Sequence, residues 1–137
     1  MIRTRIIGTG SYLPERVLSN REVGGSLGIE SDAVTRLTGI QERRRAGPSQ
    51  ATSDLAAEAA RQALKAAGLP VSELGAILLS TTSPDTVFPS TACHVQRMLG
   101  CSTIPAFDVA ASCSGFLYGL SMADAMIRSR QVKTCLV

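Results

Sequence analysis

Residues 105–129, PAFDVAASCSGFLYGLSMADAMIRS, decide how this chain is read. Phe107, Val109, Ala110 and Ala111 form an apolar run of strand length, and from Ser114 onward the residues have the length and composition of a helix. Cys113 therefore stands at the joint between a buried strand and a helix N-terminus. Unpaired N–H groups and the positive end of the helix dipole favour a thiolate there, because only the charged form gains from them. Ala111, Ser112, Ser114 and Gly115 are small enough to admit a substrate carbonyl, and their N–H groups suit the oxyanion of acyl transfer. Packing is the competing reading, since free cysteine is among the most buried residue types and strand-to-helix turns are common to α/β proteins.

The helix after the joint carries Phe116, Leu117, Leu120, Met122, Met126 and Ile127 in several directions, which predicts burial on all sides. Gly115, Gly119 and Ala123 recur on one stripe, against which another backbone can pack closely. A central helix of this kind needs layers above and below it, more than a short chain encodes.

At 137 residues the chain is long enough for one domain with a core, and 45% hydrophobic against 18% charged residues fits a globular α/β protein rather than a disordered one. The net charge of +3 is mild, and two tyrosines with three phenylalanines give little for base stacking, so no nucleic-acid partner is expected. Cysteines at 93, 101, 113 and 135 form no CxxC pair, and a single histidine cannot complete a usual zinc set with them, so no metal is expected. Reduced thiols in a cytoplasm are the default. No apolar run reaches membrane-spanning length, and Arg3 and Arg5 do not open a signal peptide.

In chain order, Ile2 to Tyr12 reads as a first strand with a close approach or bend at Gly8 and Gly10. Ser19 and Glu22 have capping-box spacing and open a short helix, which Gly24 and Gly25 stop; a second helix runs from Ser31 to Gly39. Ile40 to Ala46 reads as an exposed edge strand or loop whose arginines form a solvated face. Thr52 to Gly68 is the clearest helix, capped by Ser53. Ala76 to Thr81 reads as a buried parallel strand, and Ser90 caps a helix that ends at Gly100. Val132 to Val137 reads as a last strand that stops in mid-element, as expected of a fragment or of the first part of a larger protein. His94, the only histidine, sits beside Gln96 and Arg97 on a helix with nothing to bring it to Cys113. Phe88, just before a helix in the loop after a strand, stands where α/β folds place ligand contacts.

GTGSYLP at 8–14, TGIQER at 38–43, TTSPDTVFPSTAC at 81–93 and FDVAASCSGF at 107–116 together resemble the β-ketoacyl-acyl carrier protein synthase III enzymes of the thiolase fold. The likeness runs in order through the whole chain and corresponds to the first half of such an enzyme. It implies that residues 1–137 are an N-terminal half-domain of a five-layer αβαβα architecture, with a mixed, mostly parallel sheet and a buried central helix. The stripe of Gly115, Gly119 and Ala123 would then face the counterpart helix of the second half.

The resemblance further implies that Cys113 takes an acyl group and passes it to the carbanion left when malonyl-acyl carrier protein loses carbon dioxide. It implies that Phe88 lines the acyl pocket of the neighbouring subunit in a homodimer. The partners it implies are acyl-CoA and acyl carrier protein, as thioester substrates rather than cofactors. The family's catalytic histidine and asparagine belong to the second half, and His94 matches neither, so the segment alone should not condense anything. Where the family stacks a tryptophan on the CoA adenine, Ala33 stands at about that place; nearby Arg36 is placed to contact a phosphate.

Two other readings stay open. Transfer from Cys113 to a different nucleophile is separated by product analysis with and without malonyl-acyl carrier protein, and a non-catalytic partner subunit is disfavoured by retention of the cysteine.

Overall fold

Along the chain run β1 (Arg16–Ser19), α1 (Asn20–Leu27), α2 (Ser31–Thr38), β2 (Glu42–Arg45), α3 (Thr52–Ala67), β3 (Ile77–Ser80), α4 (Thr91–Leu99), β4 (Ala106–Val109) and α5 (Gly115–Arg128), with 3₁₀ turns at Val71–Glu73 and Ser112–Ser114. This computed structural model describes residues 3–101 and 103–137. They divide into two units, residues 3–12 with Ala51–Val137 and Leu13–Gln50.

The larger unit is built on β3 and β4, which pair in parallel with Ile77 opposite Ala106 and Ser80 opposite Val109. Ile77 also bridges Leu136, and Leu78 N donates to Leu136 O at 2.9 Å, so β3 is central. Ile77 packs with Leu74, Ala92 and Val95, which puts α4 on that face. Leu78 and Ser80 alternate to the other face, where α5 lies: a Cβ on Gly115 would stand 1.9 Å from Ser80 Oγ, and one on Gly119 2.8 Å from Val137 Cγ1.

That placement corrects one expectation about α5, the direction of its small stripe. Within this chain the buried residues of α5 are Gly115, Gly119 and Ala123, while Phe116, Leu117, Tyr118 and Met122 are exposed. The small stripe is spent on the chain's own strands, because only residues without bulk let α5 sit this close to β3. Phe116, Leu117, Tyr118 and Met122 point away, while Leu120, Met126 and Ile127 are half-buried.

Residues 3–12 do not form the expected strand, and Ile2 lies outside the described residues. A strand needs a hydrogen-bonded neighbour, and the backbone of residues 3–11 has none among the described residues. The segment is held by packing instead. Gly8 meets α3 at Ala63 and Ala67 while Gly10 meets it at Ala59 and Ala63, in both cases against helix backbone. Thr4 Oγ1 donates to Asp124 at 2.6 Å. Residues 132–137 likewise contribute a single bridge rather than a strand.

Helix ends follow local chemistry. Ser90 Oγ accepts from Cys93 N, and Gly68 and Gly100 adopt positive φ at the C-termini of α3 and α4. Ser53 is not the cap of α3: Ala51 occupies that position, and Asp54 Oδ2 accepts from Ala51 N at 2.7 Å. Ser53 is inside the helix, with its hydroxyl turned to Asp85.

In the smaller unit β1 and β2 are antiparallel, with Arg16 opposite Arg45 and Ser19 opposite Glu42. The Ser19–Glu22 capping box forms. Gly24 and Gly25 do not end α1, which continues to Leu27 and closes at Gly28 with φ 68°. The left-handed turn, not glycine itself, stops a helix. Asn20, 3% exposed, ties the unit together: its Nδ2 donates to Thr35 Oγ1 and Ile40 O, and its Oδ1 accepts from Arg43.

Candidate active site

β3 and β4 are parallel, so their C-terminal ends open at one edge, the usual place for ligands in α/β sheets. There the chain turns tightly. Ala111 N donates to Val109 O at 3.1 Å, Ser112 takes φ 46°, and one 3₁₀ turn leads into α5. A positive φ at a non-glycine residue is uncommon and costs of order 1–3 kcal/mol, and it re-aims the next side chain. That side chain is Cys113, which is exposed.

Cys113 and Ser112 line an open depression of ≈ 520 Å³ with Ser80, Thr81 and Thr82. Ser114 N donates to Ala111 O and Gly115 N to Ser112 O, whereas Cys113 N has no acceptor among the described residues. The cleft thus holds a sulfur nucleophile, a free backbone donor and four hydroxyl groups.

The other cysteines are set apart by burial, which pushes the Cys101 and Cys135 thiols up. Cys93 Sγ is close to Ser90 Oγ and Ala106 O, at 3.2 and 3.5 Å. Among the described residues no three His, Cys, Asp or Glu side chains cluster as metal ligands, and no helix is long and apolar enough to cross a membrane.

The remaining candidates lie elsewhere. Phe88 and Val87 form the tip of the β3–α4 loop and are 90% and 99% exposed. His94 Nε2 lies 3.2 Å from Thr86 Oγ1 on that loop and does not line the cleft. Arg36 is exposed in the last turn of α2, in the smaller unit. Sequence reasoning missed Ser80, Thr81 and Thr82; the signal was their position at the C-terminal end of a buried parallel strand. It also missed Asp85. The Asp85 carboxylate accepts from Ser53 N and Ser53 Oγ, and nothing in the local pattern pairs a loop aspartate with a helix 32 residues earlier.

The profile of the 3-oxoacyl-[acyl-carrier-protein (ACP)] synthase III family matches residues 107–137. The chain is 50% identical over 133 residues to the β-ketoacyl-[acyl-carrier-protein] synthase III of Laribacter hongkongensis, covering 97% of this chain and 42% of that protein. The crystal structure of 3-oxoacyl-[acyl-carrier-protein] synthase III from Aquifex aeolicus VF5 matches with a TM-score of 0.89 at 44% identity, over 93% of this chain and 41% of that one. The priming β-ketosynthase of the R1128 polyketide biosynthetic pathway matches with a TM-score of 0.87 at 32% identity, over 91% and 37%. The chain spans about two fifths of the length of these relatives. With its half-thiolase α/β fold and its likeness along nearly the whole length, the chain belongs to the β-ketoacyl-[acyl-carrier-protein] synthase III family, as a segment of a member.

Proposed function

We propose that this chain carries the acylation step of a β-ketoacyl-acyl carrier protein synthase III, a decarboxylative condensing enzyme that starts fatty acid or polyketide chains. The observation that supports it is Cys113, exposed in an open cleft at the carboxyl ends of two parallel strands, with its own backbone N–H unspent. Sγ attacks the carbonyl carbon of an acyl thioester, and the carbonyl electron pair moves to oxygen. The Cys113 N–H is the donor this chain offers to that oxygen. Collapse expels the donor's sulfur, which takes up the proton given by Cys113, and leaves an acyl-cysteine. Malonyl-acyl carrier protein then loses carbon dioxide; its carbanion attacks the acyl carbon, forms the new C–C bond and returns an electron pair to Sγ.

In this reading the acyl donor is acyl-CoA or acyl carrier protein, no cofactor takes part, and the enzyme is a cytoplasmic homodimer. Arg36 contacts a donor phosphate, a role its exposure allows. Phe88 lines the acyl pocket of the partner subunit, a role supported by an aromatic ring held out in solvent.

The test is incubation with a labelled acyl thioester followed by intact-mass analysis and peptide mapping. One acyl group on Cys113, absent in Cys113→Ala, is expected. Label that persists in Cys113→Ala defeats the assignment.

A further inference from the structure

Phe88 is presented by a loop of ten residues, Thr81 to Ser90, without secondary structure of its own. Such a loop ordinarily folds an exposed aromatic ring back onto apolar surface, because burial of the ring is favourable. Here the ring stands out and the middle of the loop is tied down. Asp85 Oδ1 accepts from Ser53 N at 2.9 Å and Oδ2 from Ser53 Oγ at 2.5 Å, while Asp85 N donates to Thr91 Oγ1 at 3.1 Å. Both anchors are buried, Ser53 in the first turn of α3 and Thr91 at the start of α4. A carboxylate beside a helix N-terminus gains from the helix dipole as well as from charge-assisted hydrogen bonds. Flanking ties act in the same sense: Thr52 Oγ1 donates to Ser83 O at 2.6 Å, and Thr86 Oγ1 donates to Pro89 O at 2.8 Å.

We infer that Asp85 is the positioning residue of this loop: it fixes where Phe88 stands and thereby sets acyl-chain selectivity. The inference rests on the reading of Phe88 as a wall of the acyl pocket. Asp85 touches no reacting atom and acts through Phe88 alone. Removing its carboxylate leaves Ser53 N and Ser53 Oγ without their acceptors in a buried place, so the loop opens locally while the strands below it stay. Asp85→Asn keeps an acceptor for Ser53 N, but it loses the charge and replaces the acceptor of Ser53 Oγ with an N–H donor.

The experiment incorporates 4-fluorophenylalanine at the three phenylalanines, with the Phe88 resonance assigned by Phe88→Leu. In Asp85→Ala the Phe88 ¹⁹F line should move and narrow while those of Phe107 and Phe116 hold, and amide exchange across residues 82–88 should rise about tenfold or more. Asp85→Asn should lie between wild type and Asp85→Ala. Ser53→Ala, which removes one donor and keeps the other, provides a milder variant for the same comparison should Asp85→Ala not fold. Cys113 acylation by acetyl and hexanoyl thioesters then gives the selectivity ratio, expected to change about threefold or more in both Phe88→Leu and Asp85→Ala. A Phe88 line and loop exchange that stay put in Asp85→Ala overturn the inference, as does a selectivity change in Phe88→Leu that Asp85→Ala does not share. A ratio unmoved by Phe88→Leu overturns the pocket reading of Phe88 instead, and the link from Asp85 to selectivity with it.

Discussion

Replacing Gly115 by alanine tests the link between the packing of α5 and the setting of Cys113. Gly115 has φ −59° and ψ −40°, an ordinary helical conformation, so alanine strains no backbone dihedral. Space is the obstacle. The new methyl would meet Ser80 Oγ at 1.9 Å, Ser80 Cβ at 3.1 Å and Val109 O at 3.3 Å. Rotating the Ser80 hydroxyl relieves the first contact, but the other two belong to adjacent strands and require α5 to lift by a few tenths of an ångström. Overpacking of this kind costs roughly 1–3 kcal/mol, and the better helix propensity of alanine returns at most about 1 kcal/mol. A net loss of about 1–2 kcal/mol is expected in urea unfolding monitored by circular dichroism. Ser80→Ala removes the worst contact, so Gly115→Ala in that background should cost less, with a coupling of about 0.5–1.5 kcal/mol. The rate of Cys113 alkylation by iodoacetamide should shift with the helix. Additive single and double variants, or a Gly115→Ala protein as stable as wild type, would refute the reasoning.

Three further outcomes are expected. Gly10→Ala should be worse than Gly115→Ala, costing about 3 kcal/mol or more, because its methyl meets helix backbone, Ala59 O at 2.1 Å and Ala63 N at 2.4 Å; urea midpoints decide it. Iodoacetamide at pH 8 should label Cys113 well before Cys101 and Cys135, which are half-buried and whose thiols partial burial pushes up, as read by peptide mass. The Thr4 hydroxyl, ahead of Arg128, holds the Asp124 carboxyl below its ordinary value of 3.8. A lowered folded value contributes stability above the ordinary value that is lost as pH falls through the folded one. Thr4→Val should therefore flatten the acid limb of stability against pH, measured as urea midpoints from pH 2 to 6.

What could be read from the residues was whatever depends on near neighbours. The Ser19–Glu22 box, the Ser90 cap, the glycine stops at 68 and 100, and the strand–turn–helix passage through Cys113 all depend on groups a few residues apart. What could not be read depends on partners brought from far along the chain. Residues 3–12 have strand composition but no neighbour to bond, so composition misled. β1 went unseen because RVLS is short and exposed, and only its pairing with ERRR at 42–45 makes it a strand. The stripe at 115, 119 and 123 was visible, yet its direction was not: spacing shows that a helix has a thin side without showing what lies against it. Asp85 and Ser53 are in the same position, two ordinary polar residues until the fold sets them together.

α5 has a lean side turned to its own sheet and a bulky side turned outward, so its two faces answer to different demands. Adding a carbon on the lean side raises the whole helix and carries the sulfur at its head along. Phe116, Leu117, Tyr118 and Met122 stand on the other side, where a change puts no carbon between α5 and β3. The lean side thus ties the position of the nucleophile to the bulk of single residues beneath it.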